Sequence, residues 1–492
     1  MKHLWGRKPI AELEAEALDS EKGLKRTLGA GSLVALGVGA IIGAGLFVRT
    51  AAAAATSAGP SVTIGFIVAA IGCAFAGLCY AELASMLPIA GSAYTYTYAT
   101  MGELVAWIIG WDLTLEYALG AATVSIAWSE YLNKLLQMFG FKIPYAFCHS
   151  PFEIDVVTHA HGIVNLPALG ILLVLTLLLV RGIHESAVIN TIIVVVKLVI
   201  VLLIIGLGWR FIDPANHTPY IPPPGEYTDK QGVTHAFGGA MGILGAAGIV
   251  FFAFIGFDAV STAAQEAKNP RRDMPIGILG SLAVCTVLYV LFAHVLTGLA
   301  PVEFFRTSGS EASVAQAIEL AMPGYKWLSS AVTVAILGGF SSVILVMLMG
   351  QSRVFYSMSR DGLVPPMFSE LHPRYRTPYK SNLLFLVFVG LFAAFVPGDV
   401  VGDMTSIGTL FAFILVSLGV WILRKNEPLI PRPFRVPAVP LVSSLGALLC
   451  SAMIFGLGWP NWARLGVWLA IGLAIYFGYG SKRSKLRASG AQ

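Results

Sequence analysis

The chain has 492 residues, 56% of them hydrophobic and 12% charged, with a mean hydropathy of +0.76; soluble domains carry about twice that share of charge, which excludes a soluble globular protein. The net charge of +5 comes from 32 basic and 27 acidic residues that form no basic stripe, so the chain's medium is a lipid bilayer with anionic headgroups and nucleic acid is excluded as a partner. Five cysteines without paired spacing give neither a disulfide framework nor a zinc site.

Residues 1–28 are mixed in charge and read as a cytoplasmic segment, without the apolar core of a signal peptide. Twelve apolar runs of about 20 residues follow, the length that crosses roughly 30 Å of hydrocarbon. They fall near 29–57, 61–87, 102–133, 163–181, 187–209, 237–264, 275–299, 325–357, 382–397, 402–424, 440–458 and 464–481. Threaded with the N-terminus inside, they put 23 of the 32 Lys and Arg residues on the inner side, eight on the outer side, and Lys197 within the fifth span. This sorting predicts a multi-pass protein of the cell membrane with both termini cytoplasmic. The expected units are spans 1 to 5 (29–209), spans 6 to 10 (237–424), two further helices (440–481) and a tail (482–492).

Span 1 carries GVGAIIGAGLF over 37–47. An unpaired backbone group inside a bilayer costs several kcal/mol, so a glycine-rich break is tolerated only where it lines a cavity or holds a ligand. Close helix packing explains such glycines taken singly, but a second interruption stands in the sixth span, where Gly242, Gly245 and Gly248 lead into 251–258. The two lie five spans apart, hence in antiparallel spans, as in a pair of inverted repeats with a binding site at the midplane. Half-helix ends offer bare NH groups on one side and bare carbonyls on the other. An amino acid zwitterion matches both, its carboxylate on the amides of Gly43, Ala44 and Gly45 and its ammonium on carbonyls around Ile41 and Ile42 and around Phe252, Ala253 and Ile255.

In span 3, Asp112 and Glu116 are four residues apart and share a helical face turned to protein. The outer loop after it holds Asp155, His159 and His161, read as a plain solvated loop and no metal site. Lys197 has eight or more apolar residues on either side; a charge so deep in a span costs about 2.5–3.5 kcal/mol and is a functional candidate, with a structural tether to a carbonyl as the alternative. Asp258 closes the second break, where its carboxylate can accept from freed NH groups. A short amphipathic helix, SVAQAIELAM, is expected over the outer vestibule. In span 8, Met347 lies about one turn beyond Ser342 and would narrow the side-chain pocket.

The phrases GVGAIIGAGLFV (37–48), YAELASMLPIAGSAYTYTYATMGE (80–103), GWDLTLEYALGAATVSIAWSEY (110–131) and FIGFDAVSTAAQEAKNPRRDMPIGI (254–278) resemble the amino acid, polyamine and organocation (APC) transporter superfamily, and within it the cationic amino acid transporter branch in a bacterial 12-span form. The resemblance implies an all-α, LeuT-like membrane fold with a 5+5 inverted repeat, broken helices 1 and 6, and two peripheral helices. It implies proton-coupled symport by alternating access, spans 1, 2, 6 and 7 rocking against spans 3, 4, 8 and 9. Implied substrates are small neutral L-amino acids such as alanine, or arginine and lysine, with proton-free exchange as the alternative mechanism. No cofactor beyond the proton is implied, and an accessory subunit is left open.

By the same resemblance Lys197 is the proton-coupling residue, its amine aimed at carbonyls of Gly39 or Ile42 and at Ser341 or Ser342. Glu116, the glutamate of the LEY phrase, handles substrate or shares the proton, with a packing role as the alternative. Phe252 is the gate over the substrate. An enzyme or a channel would need a convergent catalytic set or a filter, and neither HExxH nor GxSxG occurs.

Overall fold

The computed structural model describes residues 6–9, 28–43, 45–86, 92–155, 158–181, 187–229, 232, 234–262, 267–308, 313–375 and 377–488. Among them, eight helices are long and apolar enough to cross a bilayer and four more are shorter apolar helices. Span 1 is Ala30–Ile41 (span 1a) followed, after a gap, by helical turns over 45–58 (span 1b). Gly59, at φ +55°, and Pro60 then reverse the chain into span 2, Val62–Met86. Span 3 is Glu103–Met138, span 4 Leu166–Arg181 and span 5 Ala187–Gly208. Span 6 begins as Gly239–Phe251; spans 7, 8, 9 and 10 are Pro270–Leu299, Lys326–Arg360, Tyr379–Phe395 and Gly398–Asn426. Spans 11 and 12 are Val439–Gly456 and Trp459–Ile475.

The helices gather into two groups. Span 7 lies along spans 2 and 1a, and span 6 along span 2, while span 3 packs on spans 4, 8 and 9. Span 5 bridges the groups, touching spans 1a, 7 and 8, and span 10 runs against spans 2, 3 and 11. Spans 11 and 12 are peripheral: only 33% and 17% of their apolar stretches are buried, leaving the remainder to lipid.

The membrane-spanning part is all-helical among the described residues, as expected, and a small hairpin lies outside it. The loop between spans 5 and 6 contains an antiparallel hairpin of β1 (Gly225–Thr228) and β2 (Thr234–Phe237). Its cause is local: Thr228 and Thr234 pair across the ladder with hydroxyls 3.0 Å apart, and Gly232 supplies a positive φ in the turn. The Arg306 guanidinium lies over the Tyr227 and Phe237 rings at 4.3 and 4.5 Å, fastening the hairpin to the loop after span 7. The amphipathic helix expected between spans 7 and 8 forms, Ser313–Ala321.

Candidate functional site

Span 1a ends at Ile41, Ile42 turns to an extended ψ of 100°, and helix resumes at Gly45. Ala44, expected to offer an amide to a carboxylate, lies outside the described residues. In span 6 the helix tightens to a 3-10 turn at Phe252–Phe254, Ile255 swings to ψ 134°, and Gly256 adopts φ +114° before a short turn, Ala259–Thr262. The break is thus at 255–258. Gly242, Gly245 and Gly248 stand in unbroken helix, where they let the backbones of Ser57 and Gly456 and the side chain of Leu457 approach; their role is packing.

The two breaks touch each other. A Cβ on Gly45 would lie 2.2 Å from the Ala253 Cα, and one on Gly256 would lie 2.9 Å from the Ala40 carbonyl. Gly43 faces span 8, where a Cβ would meet Val343 at 3.2 Å. The interrupted parts of spans 1 and 6 therefore cross at contact distance, with span 8 against them, and Ile41, Ile42, Gly43, Gly45, Phe252, Ala253 and Ile255 are all buried. The void beside this crossing, lined by Ile42, Gly43, Phe47, Lys197, Gly339 and Phe340, is too narrow for a water molecule.

Two of the carbonyls expected to meet an ammonium already have a partner. The Tyr289 hydroxyl of span 7 lies 2.9 Å from both the Ile41 and the Ala253 oxygens. Sequence reasoning passed over Tyr289, although a polar tip in the middle of an apolar span must find a partner.

Lys197 is 4% exposed, and its ammonium donates to the Gly39 carbonyl at 3.2 Å. Its stem runs over Gly339, where a Cβ would come within 2.5 Å of Cε. Ser341, expected to face this amine, has other partners: its hydroxyl donates to the Leu337 carbonyl at 2.9 Å and accepts from Trp128 Nε1 at 3.1 Å. Ser342 is buried on the same helix. Met347 packs on span 3, its Sδ 3.0 Å from where a Gly120 Cβ would be, one turn beyond Glu116.

Three acidic side chains lie close to the crossing, each at most 1% exposed: Asp112, Glu116 and Asp258. Glu116 sits in a π-turn, Leu115–Leu119, a distortion common at functional sites. Asp258 accepts from the Tyr117 hydroxyl at 3.0 Å, and Asp258 and Thr409 flank the Glu116 carboxyl. Neither oxygen of Asp112 or of Glu116 has a hydrogen-bond partner among the described residues. Glu82 is a structural tie: it takes Arg424 through two bonds, at 3.0 and 2.5 Å, and the Val436 amide at 2.8 Å.

Ion pairs stand on both sides. Arg49 of span 1b, 2% exposed, bonds Asp399 at 3.0 Å and also Asp403, both in span 10. On the opposite face Lys8 bonds Asp361 at 2.9 Å, and Glu103 accepts from Tyr98, Tyr476 and Ser484 and pairs with Arg487 at 3.0 Å. Both chain ends therefore meet one face. In the loop after span 3 Asp155 accepts from Thr158 at 2.6 Å, and among the described residues no group of three or more His, Cys, Asp or Glu could hold a metal.

Two apolar helices interrupted within their length and crossing at the interruptions are the arrangement of membrane transporters. The chain belongs to the amino acid permease family, whose model matches residues 28–475; it is a multi-pass membrane protein of a family of transporters, not of enzymes. It is 45% identical to the branched-chain amino acid permease BcaP of Bacillus subtilis (strain 168), over 98% of each chain. It is 39% identical to the methylthioribose transporter of the same organism, over 99% of this chain and all of the other. It is 34% identical to cationic amino acid transporter 4 of Mus musculus, over 88% of this chain and 64% of the other.

Proposed function

We propose that this permease is a secondary active transporter of LeuT-like design, two inverted repeats of five spans plus two peripheral helices, that takes up aliphatic L-amino acids together with a proton. The observation that carries the reading is the crossing of the two breaks at Gly45 with Ala253 and at Gly256 with Ala40. Amides at Gly43 and Gly45, where span 1 is interrupted, suit a carboxylate, and the half-helix carbonyls of Ile41 and Ala253, which keep a free lone pair beside Tyr289, suit an ammonium. Branched-chain substrates are favoured by the printed names of two relatives, the Bacillus subtilis BcaP and a Lactococcus lactis BcaP that is 34% identical over 95% of this chain. Alanine fits the same contacts with a smaller side chain. Arginine or lysine is the second reading, supported by the buried Glu116, which could receive a basic side chain.

The coupling proton is assigned to Lys197, supported by its bond to Gly39 in span 1a, and to Glu116, supported by its place beside Asp258 across the line between spans 3 and 6. Phe252, buried in the 3-10 turn next to the break, is the gate. Spans 1, 2, 6 and 7 would rock against spans 3, 4, 8 and 9 in the cell membrane, with both termini cytoplasmic; the sorting of Lys and Arg supports that orientation. Vesicles containing the purified protein test the mechanism: symport accumulates labelled L-leucine under an inward proton gradient with no amino acid inside. Uptake only against internal amino acid would make the protein an exchanger. A panel of leucine, alanine, arginine and methylthioribose as competitors decides the substrate.

A further inference from the structure

Ile41 closes span 1a and Ala253 lies in the last turn before the gap in span 6. Their carbonyls are left without the usual intrahelical donors and carry the negative ends of their half-helices. Both converge on one atom, the Tyr289 hydroxyl oxygen, 2.9 Å from each. Tyr289 is fully buried, and its ring is wedged against Phe66 and Phe254, with centroids at 5.5 and 5.3 Å. The hydroxyl is therefore held in place by packing from spans 2 and 6.

A phenol has a single proton, whereas each carbonyl oxygen has two lone pairs. One hydroxyl can thus satisfy only one of the two carbonyls at a time, and both retain acceptor capacity. An ammonium group has three protons and the charge that two converging carbonyl dipoles favour. The geometry points to Tyr289 as a positioning residue for the ammonium of the substrate: it clamps the Ile41 and Ala253 carbonyls at the separation a primary amine bridges. This assignment rests on the proposed amino acid site at the crossing and adds to it a span 7 residue that fixes the acceptor geometry. A ligand without a free amine gains nothing from the clamp.

Tyr289→Phe keeps the ring and removes only the oxygen. Three competitors of labelled L-leucine binding separate its effects: L-leucine itself, 3-methylbutylamine, which lacks the carboxylate, and 4-methylpentanoate, which lacks the amine. The variant is expected to weaken the two amines about tenfold, the scale of one hydrogen bond to a charged group, and to shift 4-methylpentanoate less than twofold. Phe66→Leu, which loosens the wedge and leaves the hydroxyl in place, is expected to give a smaller loss with the same bias towards amines, and it serves if Tyr289→Phe does not fold. Equal weakening of all three ligands would make Tyr289 a structural tie, and unchanged or tighter amine binding would make it a bystander; either overturns the assignment. Wild-type protein that binds neither leucine nor the amine would remove the site itself, whereas normal wild-type binding with an unaltered variant profile removes only the role of Tyr289.

Discussion

Lys197 reaches the Gly39 carbonyl across span 8 because residue 339 has no side chain; a Cβ there would sit 2.5 Å from the lysine Cε. Gly339→Ala should therefore push the lysine off its carbonyl and reproduce the loss of coupling expected of Lys197→Ala. In vesicles under an inward proton gradient, both variants should lose at least about tenfold of leucine accumulation, the effect of a hydrogen bond to a charged group, while leucine still raises the melting temperature. Gly339→Ala with full accumulation would detach the amine's position from coupling. Glu116→Gln keeps the volume and removes the charge, so the pH dependence of uptake should flatten, as should any inhibition by arginine. An unchanged pH profile and unchanged arginine inhibition would leave Glu116 a packing residue in its π-turn. Lys197 and Glu116 were legible as single residues because a charge in an apolar run is costly enough to stand out. Tyr289 was not, since its partners are 248 and 36 residues away and an aromatic in a span reads first as packing.

At the scale of elements, the breaks were legible because glycine clusters are expensive in hydrocarbon, and the second falls at 255–258, inside the 251–258 stretch the sequence marks. Gly242, Gly245 and Gly248 look like a break and serve close packing, whereas Gly256 alone has the positive φ that an interruption needs. Gly256→Ala should accordingly lower the melting temperature and abolish leucine binding, since a side chain is strained at φ +114° and would press on the Ala40 carbonyl at 2.9 Å. Gly242→Ala should lower stability and leave leucine affinity within about twofold, because it acts through packing alone; equal loss of binding in both variants would contradict that division. The loop after span 3 is fastened differently. His149 bonds Glu130 at 2.7 Å; burial opposes its charge, but the hydrogen bonds to Cys148 and Glu130 outweigh that and raise the imidazole to about 11. A group raised on folding contributes stability that is complete below its unfolded value, near 6.5, and fades only as pH climbs through the folded one. Amide exchange in residues 144–155, after correction for intrinsic rates, should show protection lost steadily above pH 7 in the native protein and no such slope in Glu130→Gln. The same slope in both would show that the pair contributes nothing. This loop was read only as a plain segment, because the partner that fixes it comes from the end of another element.

For the molecule as a whole, ion pairs tie distant elements together: Arg49 of span 1b to Asp399 and Asp403 of span 10, and Lys8 of the N-terminal segment to Asp361 after span 8. Removing one member of a buried pair strands the other and costs about 3–5 kcal/mol; Arg49→Met leaves the Asp403 carboxylate, 14% exposed, without its cation and should lower the melting temperature clearly, and the double variant with Asp403→Asn should recover part of the loss. Additive losses would contradict a working pair. Spans 1, 2, 6 and 7 pack on one another, as do spans 3, 4, 8 and 9; the β-hairpin between spans 5 and 6 and the meeting of both terminal segments at Glu103 and Asp361 could not be read from hydropathy, which reports burial and not partners. The proposed function rests on one arrangement, two interrupted segments whose backbone dipoles would hold a zwitterion. An experimental structure of the protein with L-leucine tests it most directly. The account predicts the carboxylate within hydrogen-bond distance of backbone nitrogens at 43–45 and the ammonium on carbonyls at 41–42 and 252–255, beside Tyr289. Leucine bound away from both breaks, or with its charged ends held by side chains alone, would contradict it.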